Sequence, residues 1–407
     1  SVKHSYMTLA FNDTLHFGRQ EFFFRSWKGR PIGQLISFLT YGVIPFFLIK
    51  YYVESNNERA IISKAIVFTT VFLIYYGIFQ QISFYLRWPV TGYDLYYQVV
   101  PLYQVGPHQI IRFYSFGGEP RDFGAYILGA MFFYFYCYFG KINPFFIINM
   151  MLMLAAAFLT MSTSSYIGYV LCAIVLFFDS IFLMRKKILK ASLITALSLV
   201  VLFIAIHSFT DVIHLFTHRT LKYAYAFIES LRTTGSIHFW VTAQSPDLSI
   251  VYYLINFDKV DLYQLFFGSG FGNFLTPVAD ILKEYFNYDP TGDPIFTDTR
   301  SFGIKILVEL GIFGTILYIM ALYYPLKLNK VLIRFYSHQN RVEYYKMIIL
   351  RFSYIIFCVS NLIQISYYYF IIMAIIIGKY NSFAKSKEND FILKYNADHF
   401  TLKPQAL

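Results

Sequence analysis

Long runs of apolar residues alternate with short polar segments along most of the chain. A helix needs about 20 apolar residues to cross the hydrocarbon core of a bilayer. Seven runs come close to that length, and we predict one transmembrane span in each: Ile32–Val53, Ala65–Leu86, Phe123–Gly140, Pro144–Thr160, Tyr166–Met184, Leu189–Phe209 and Ser301–Pro325. The run Met347–Gly378 is too long for one crossing, so we predict two short helices that meet near Asn361. The pattern therefore predicts about nine spans.

The predicted fold is an all-α polytopic membrane protein with a large, partly helical extracytoplasmic loop. Residues 1–209 hold the first transmembrane helices and a small extracytoplasmic loop at 87–122. Residues 210–300 form the large loop, 301–380 hold the C-terminal helices and 381–407 form a cytoplasmic tail. Apolar residues at helical spacing predict one loop helix over Val212–Leu231. Thr276 followed by Pro277 predicts the start of a second, Pro277–Phe286, because the pair suits an N-cap and a first turn.

Composition supports a membrane location. Hydrophobic residues make up 57% of the 407 positions, aromatic residues 21% and charged residues 14%, whereas a soluble domain has about a quarter charged residues. The formal net charge is +11, but the basic residues lie in short segments between apolar runs. A nucleic-acid-binding protein would need them clustered on one soluble face, so we expect no nucleic-acid partner.

The orientation follows from the basic loops, which stay on the cytoplasmic side. Two such segments, Arg185–Lys190 and Lys327–Lys346, are predicted inside, and both assignments leave the small and the large loop outside. Nine spans also leave residues 1–31 outside, although these carry Lys3, Arg19, Arg25, Lys28 and Arg30. We therefore expect further transmembrane helices before the first residue of this chain.

The most informative motif is Arg300-Ser301, followed after nine residues by Gly311-Ile-Phe-Gly314. Arg300 precedes a predicted helix, whose N-terminal end favours an anion. Gly311 and Gly314 are three residues apart and permit a close approach of a neighbouring helix. The alternative interpretation is an interfacial arginine followed by an ordinary packing motif.

Other charged residues are further candidates. Arg112, Arg121 and Arg219 are predicted outside the membrane with Arg300, where a guanidinium can hold a phosphate; snorkelling and salt bridging are the alternatives. Glu119 lies between a glycine and a proline and could act as a general base, or lie on a solvated turn. Polar residues within the spans, among them Lys305 with Glu309, and Asp179 and Arg351, are expected to form structural pairs.

The Arg300 segment resembles the signature shared by bacterial O-antigen polymerases and ligases, and the arginine favours a polymerase because ligases carry histidine there. Three further stretches resemble the same superfamily in the same order. They are Gly117–Gly124 (Gly-Gly-Glu-Pro-Arg-Asp-Phe-Gly), Leu159–Ser164 (Leu-Thr-Met-Ser-Thr-Ser) and Phe267–Gly272 (Phe-Gly-Ser-Gly-Phe-Gly). The resemblance covers roughly residues 112–380.

The resemblance implies a Wzy-type polymerase that transfers a growing glycan from undecaprenyl diphosphate to another lipid-linked repeat unit at the periplasmic face of the bacterial inner membrane. Candidate catalytic residues are Arg300, Glu119 and Arg219; candidate diphosphate- or glycan-binding residues are Arg112, Arg121, Ser301, Gly270 and Gly311. We expect no metal and no cofactor, and a chain-length regulator as a further partner. The alternatives are an O-antigen ligase, a flippase or transporter for lipid-linked oligosaccharides, and a structural assembly partner.

Overall fold

The computed structural model describes residues 35, 36, 38–53, 56–86, 103–105, 108–110, 112, 113, 115, 120–160, 163–183, 262–270, 302–363 and 368–400. One π-helical turn, Leu39–Val43, leads into α1, Ile44–Val53. The other helices are α2 Asn56–Tyr85, α3 Pro120–Tyr138, α4 Pro144–Leu159, α5 Thr163–Leu183, α6 Leu262–Phe267, α7 Phe302–Gln339, α8 Arg341–Ile363 and α9 Tyr368–Phe400. Two short antiparallel strands, β1 Tyr103–Val105 and β2 His108–Ile110, pair in the predicted small loop.

Three of these helices are long and apolar enough to cross a membrane: Arg59–Tyr85, Lys305–Gln339 and Arg341–Leu362. Two shorter apolar helices, Pro144–Leu159 and Gly168–Ser180, accompany them. Large apolar side chains also remain exposed on the helix surfaces, for example Phe68 and Leu317, as expected where lipid is the solvent. The chain is therefore a helical membrane protein.

Most helix boundaries in the described residues agree with the predicted spans to within a few positions, and α4 shows why. Asn143 caps its first turn by accepting a hydrogen bond from the backbone N–H of Phe146, 2.7 Å away. Pro144 at the next position has no N–H to leave unsatisfied. The predicted span Leu189–Phe209 and the predicted loop helices Val212–Leu231 and Pro277–Phe286 lie outside the described residues.

Helix α8 is at the centre of the bundle and contacts α3, α5, α7 and α9. The ring of Phe357 lies against Gly129 of α3, which leaves no room for a side chain at that position. Ser353 donates a hydrogen bond to the Gly129 carbonyl, 2.9 Å away. Absence of a side chain thus lets the two backbones approach closely.

Contacts along α8 fix the direction of its neighbours. Near the end of α8, Phe357 meets Tyr126 from the beginning of α3. Leu362 lies against Gly303 at the start of α7, so α8 runs antiparallel to both. Helices α3 and α7 begin at one end of the bundle, and α4 and α8 terminate there. We call it the Thr160 end, and we call the opposite end the Glu343 end.

A buried ion pair links α5 and α8 within the bundle. Arg351 donates from Nε and Nη2 to the two carboxylate oxygens of Asp179, at 2.7 and 2.6 Å. Its Nη1 donates to the Leu326 carbonyl of α7, 2.6 Å away. The expected structural pairing of Asp179 and Arg351 is confirmed, and the guanidinium joins three helices.

At the Glu343 end, one carboxylate joins α8 to α9. Glu343 accepts from Lys346 at 3.0 Å and from Lys379 of α9 at 3.2 Å. Lys379 also lies 5.5 Å from the ring centre of Tyr136 in α3. These contacts fix three helices to one another where they leave the apolar part of the bundle.

Candidate functional site

Arg112 lies beside the C-terminal end of α4. Its side chain is buried, and Nε donates to the Thr160 carbonyl, 2.8 Å away. The next residue, Phe113, donates its backbone N–H to the Leu159 carbonyl, also at 2.8 Å. The last carbonyls of a helix have no partner within the helix and carry partial negative charge, which a cation stabilises. Arg112 therefore fixes the predicted small loop to the end of α4.

Gly124, in the first turns of α3, lies against the same end of α4 and the start of α5. A side chain at this position would overlap the hydroxyl of Ser165 and approach that of Thr160. The carbonyl of Gly124 accepts a hydrogen bond from Tyr169 Oη, 2.9 Å away. Two of the sequence stretches that resemble the polymerase superfamily, Gly117–Gly124 and Leu159–Ser164, thus meet at the Thr160 end through their described residues.

Helix α7 is broken at Gly311. Its backbone angles there are φ 65° and ψ −172°, a combination accessible essentially only to glycine. The helical direction changes at this point, so the carbonyls just before the break lose the partners that a continuous helix would supply. Thr315, one turn later, donates its hydroxyl to the Gly311 carbonyl at 2.7 Å. The predicted packing glycine is therefore the site of a break.

The segment Gly268–Gly270 occupies this break, and we call it the loop latch. The backbone N–H of Ser269 donates to the Val308 carbonyl at 2.9 Å, and that of Gly270 donates to the Glu309 carbonyl at 3.0 Å. Ser269 Oγ adds a third hydrogen bond to Val308, 3.2 Å long. The carbonyls at the break are thus satisfied by backbone from the region predicted as the large loop.

Close approach of two glycines permits this contact. A side chain on Gly268 would overlap the carbonyl of Glu309, and one on Gly311 would overlap the carbonyl of Phe266. Gly268 itself has φ +81°, in the region that favours glycine. Both positions therefore need glycine for conformation and for space.

Two aromatic contacts support the latch from the side. Phe266 and Phe267, at the end of α6, lie with their rings 5.6 and 5.5 Å from the ring of Phe313. Phe313 is two residues beyond the break. Aromatic pairs at these separations are favourable, so α6 is held against the part of α7 that follows Gly311.

Two ionisable side chains are buried in the part of α7 before the break. Lys305 is 4% exposed and Glu309 is 3% exposed. They are four residues apart and therefore lie on the same side of the helix. Glu309 is also one of the two residues whose carbonyl receives the loop latch.

A polar network lies between α7, α8 and α9. Asn361 Nδ2 donates to Tyr318 Oη at 2.9 Å, and Tyr318 Oη lies 3.3 Å from Tyr369 Oη. The prediction that the run Met347–Gly378 holds two helices that meet near Asn361 is confirmed, since α8 ends at Ile363 and α9 begins at Tyr368. Asn361 itself lies in the last turn of α8.

The predicted site residues divide into three groups. Arg112, Gly270 and Gly311 are described above: Gly270 belongs to the loop latch and bonds to the Glu309 carbonyl, and Gly311 is the break in α7 that the latch occupies. Arg121 is in the first turn of α3. The four remaining predicted residues lie outside the described part of the chain: Glu119, Arg219, Arg300 and Ser301.

Sequence reasoning missed the specific contacts that join these segments. It identified the Gly268–Gly272 stretch and Gly311 separately, although nothing in their spacing along the chain indicates that they touch. The same is true of Arg112 and Thr160. The available signal was the glycines themselves, because two glycine-rich stretches in one chain can allow two backbones to approach.

The geometry defines the class of protein as a helical membrane protein in which a loop segment docks into a broken helix. No protein-family model, no curated protein and no solved structure matches the chain. Among the described residues, no group of three or more His, Cys, Asp or Glu side chains is arranged to hold a metal ion.

Proposed function

We propose that this chain is a polymerase of bacterial surface polysaccharide, of the Wzy O-antigen type. The proposal is carried by the pairing of the four stretches that resemble that superfamily. Arg112 and Gly124 lie against the turn that follows α4, and the loop latch lies in the break at Gly311. Both contacts are at the Thr160 end. Segments far apart in sequence but gathered at one end of a bundle can contribute to a single site.

The proposed topology has nine spans, including Leu189–Phe209, with the Thr160 end on the periplasmic side of the inner membrane. Support comes from the basic residues of the described part of the chain, which concentrate towards the Glu343 end: Arg59, Lys141, Lys330, Arg334, Arg341, Lys346, Lys379 and Lys385. Basic segments remain on the cytoplasmic side. The large loop and the small loop then face the periplasm, where lipid-linked repeat units are presented.

The proposed reaction transfers a glycan from undecaprenyl diphosphate to a hydroxyl of the terminal sugar on another lipid-linked repeat unit. The bond between the anomeric carbon and the diphosphate oxygen breaks, and a bond to the acceptor oxygen forms. A base takes the acceptor proton, and Glu119 is the candidate from the sequence. Arg300 and Arg219 stabilise the departing diphosphate, and Arg112, Arg121, Ser301, Gly270 and Gly311 contribute to binding. The activated donor needs neither a nucleotide sugar nor a cofactor.

A flippase for the same lipid-linked substrate is the second candidate, and the break in α7 favours it, since broken helices form the binding sites of many transporters. In those proteins, however, the opened carbonyls coordinate the cargo. Here the carbonyls of Val308 and Glu309 are satisfied by the loop latch. A ligase is less favoured because position 300 carries arginine where ligases carry histidine.

The test uses purified protein in proteoliposomes with an undecaprenyl-diphosphate-linked repeat unit. The native chain is expected to produce a ladder of longer glycans without nucleotide sugar or metal, and Arg300→Ala is expected to produce none. Arg334→Ala is the matched control, because Arg334 is an exposed arginine at the Glu343 end, and it should behave as the native chain does. Transfer of the glycan to lipid A-core would identify a ligase, and movement of the intact substrate between leaflets would identify a flippase.

A further inference from the structure

Two basic residues flank a contact between α3 and α8 at the Glu343 end. Lys141 follows α3 in the turn that leads to α4, and Arg341 is the first residue of α8. Their neighbours Gly140 and Val342 are adjacent, since a methyl group added to Gly140 would lie 3.7 Å from Val342 Cγ1. Both basic residues are exposed. We call Lys141 and Arg341 the basic corner.

No carboxylate in the described part of the chain neutralises the basic corner. Neither Lys141 nor Arg341 takes part in an ion pair among the described residues. Glu343 is close to Arg341 in sequence, but two positions along a helix place it about 160° around α8. Its oxygens accept hydrogen bonds from Lys346 at 3.0 Å and from Lys379 at 3.2 Å. The basic corner therefore keeps two positive charges on the surface of the described structure.

A row of partly buried aromatic rings leads from the basic corner into the apolar part of the bundle. The guanidinium carbon of Arg341 lies 5.9 Å from the ring centre of Tyr345, one turn along α8. The Tyr345 ring lies 5.9 Å from that of Phe139 in α3, and the Phe139 ring lies 5.6 Å from that of Phe135. Phe146 of α4 reaches the same place, 6.0 Å from Phe135. We call the rings of Tyr345, Phe139 and Phe135 the aromatic row.

Exposed apolar side chains adjoin the two cations. Ile142 follows Lys141 and is 59% exposed, and Val342 follows Arg341 and is 45% exposed. Phe145, in the first turn of α4, is 53% exposed. Helix α8 is apolar enough to cross a membrane from Arg341 onwards. The basic corner thus lies at the boundary between the charged end of the bundle and the surface that lipid covers.

We propose that the basic corner and the aromatic row bind one molecule of an anionic phospholipid. The phosphate group lies between the Arg341 guanidinium, whose planar fork of donors suits phosphate oxygens, and the Lys141 ammonium group. One acyl chain lies along the aromatic row. A phospholipid is the anion that a membrane presents at this level, and basic pockets between membrane helices bind such head groups. The proposal does not depend on the transfer reaction.

The first experiment measures which lipid stays bound to the purified chain. The chain in detergent is mixed with equal amounts of dioleoyl-phosphatidylglycerol and dioleoyl-phosphatidylcholine, and native mass spectrometry identifies the bound lipids by mass. The native chain is expected to retain one phosphatidylglycerol in preference to phosphatidylcholine. Lys141→Gln combined with Arg341→Gln should bind it about 25-fold more weakly, because each basic residue near an anionic lipid contributes a factor of about five.

Lys330→Gln combined with Arg334→Gln is the matched control. It removes one lysine and one arginine from α7 towards the same end of the bundle, and it should leave the preference for phosphatidylglycerol unchanged. An equal loss in both double variants would show that the lipid responds to total charge, and it would overturn the assigned site. A native chain that retains both lipids equally would overturn it too. Displacement of the bound lipid by inorganic phosphate would assign the basic corner to a soluble anion instead.

A second experiment locates the acyl chain. Phe139→Trp places a fluorophore in the aromatic row, and the variant is reconstituted in phosphatidylcholine vesicles that contain some phosphatidylglycerol brominated on its acyl chains. Bromine quenches tryptophan on contact, so the fluorescence that Phe139→Trp adds to that of the native chain should fall. Adding Lys141→Gln and Arg341→Gln should largely prevent this fall. Absence of quenching, or quenching that the two charge substitutions leave unchanged, would contradict the placement of the lipid.

Discussion

Replacing Gly311 with alanine should destabilise the contact between the loop latch and α7. At φ 65° and ψ −172° the backbone is in a region that costs a non-glycine residue about 1–3 kcal/mol. The new methyl group would also overlap the carbonyl of Phe266, a backbone atom that cannot rotate away. The overlap is relieved only if the loop latch moves away from α7. The loss of each of its two backbone hydrogen bonds then costs about 0.5–1.5 kcal/mol of stability.

Gly140→Ala provides the matched control. Gly140 has φ +84°, yet the nearest atom to an added methyl group is Val342 Cγ1 at 3.7 Å. This variant has the conformational cost without the overlap, so we expect it to lower the free energy of unfolding by about 1–2 kcal/mol. For Gly311→Ala the cost and the lost hydrogen bonds together reach about 2–6 kcal/mol. The difference in unfolding free energy between the two variants measures what the loop latch contributes to stability.

Two assays read the result. Unfolding in detergent gives the difference in stability between the two variants. Cysteines at positions 267 and 313, introduced as Phe267→Cys and Phe313→Cys, report proximity through a short bifunctional thiol reagent, since the native rings are 5.5 Å apart. The cross-link should form in the Gly140→Ala background and decline in the Gly311→Ala background. Equal stability and equal cross-linking in both would refute the reasoning.

Two further predictions concern buried guanidinium groups. Asp179→Ala leaves Arg351 buried without its carboxylate and should lower the free energy of unfolding by about 3–5 kcal/mol. Asp179→Leu combined with Arg351→Leu should recover most of that loss in a thermal unfolding assay. A double variant no more stable than Asp179→Ala would contradict this reasoning. Arg112→Ala removes the charged hydrogen bond to Thr160 and should cost about 1.5–3 kcal/mol. A melting temperature equal to that of the native chain would show that Arg112 is not needed to hold the end of α4.

The apolar pattern predicted most of the described helices because lipid solvation acts on each run independently of its neighbours. It misplaced boundaries where polar residues continue a helix beyond the apolar run. Helix α2 begins at Asn56, nine positions before the predicted Ala65, since backbone hydrogen bonds extend helices through polar turns. Helix α3 likewise begins at Pro120, where Pro and an acidic first turn suit a helix start.

The prediction that α7 ends at Pro325 was wrong for a different reason. The helix continues to Gln339, although Pro325 lacks a backbone N–H and disturbs the hydrogen bonds of the preceding turn. The carbonyl of Leu322, in the turn before Pro325, accepts a hydrogen bond from Tyr354 Oη of α8, 3.0 Å away. This contact joins α7 to α8 beside the proline, and no property of the run Ser301–Pro325 indicates that partner.

Candidate site residues were predictable by type but not by contact. Arg112 was singled out as a candidate for diphosphate binding, which stays a prediction, and its hydrogen-bond partner Thr160 is 48 positions away. Gly270 and Gly311 were each identified by resemblance, but the hydrogen bonds of the loop latch depend on the break in α7. Such contacts are set by the three-dimensional arrangement of the helices, which apolar periodicity does not specify.

The ion pair between α5 and α8 has a consequence for how the chain enters the membrane. Asp179 is synthesised 172 positions before Arg351, so α5 reaches the bilayer while its partner helix does not yet exist. Asp179 is four residues from the C-terminal end of α5, so its carboxylate stays near the bilayer interface, where an unpaired charge costs less than at the bilayer centre. The contact that joins α5 to α8 is therefore completed only after α8 has been made, and a chain that stops before α8 lacks it.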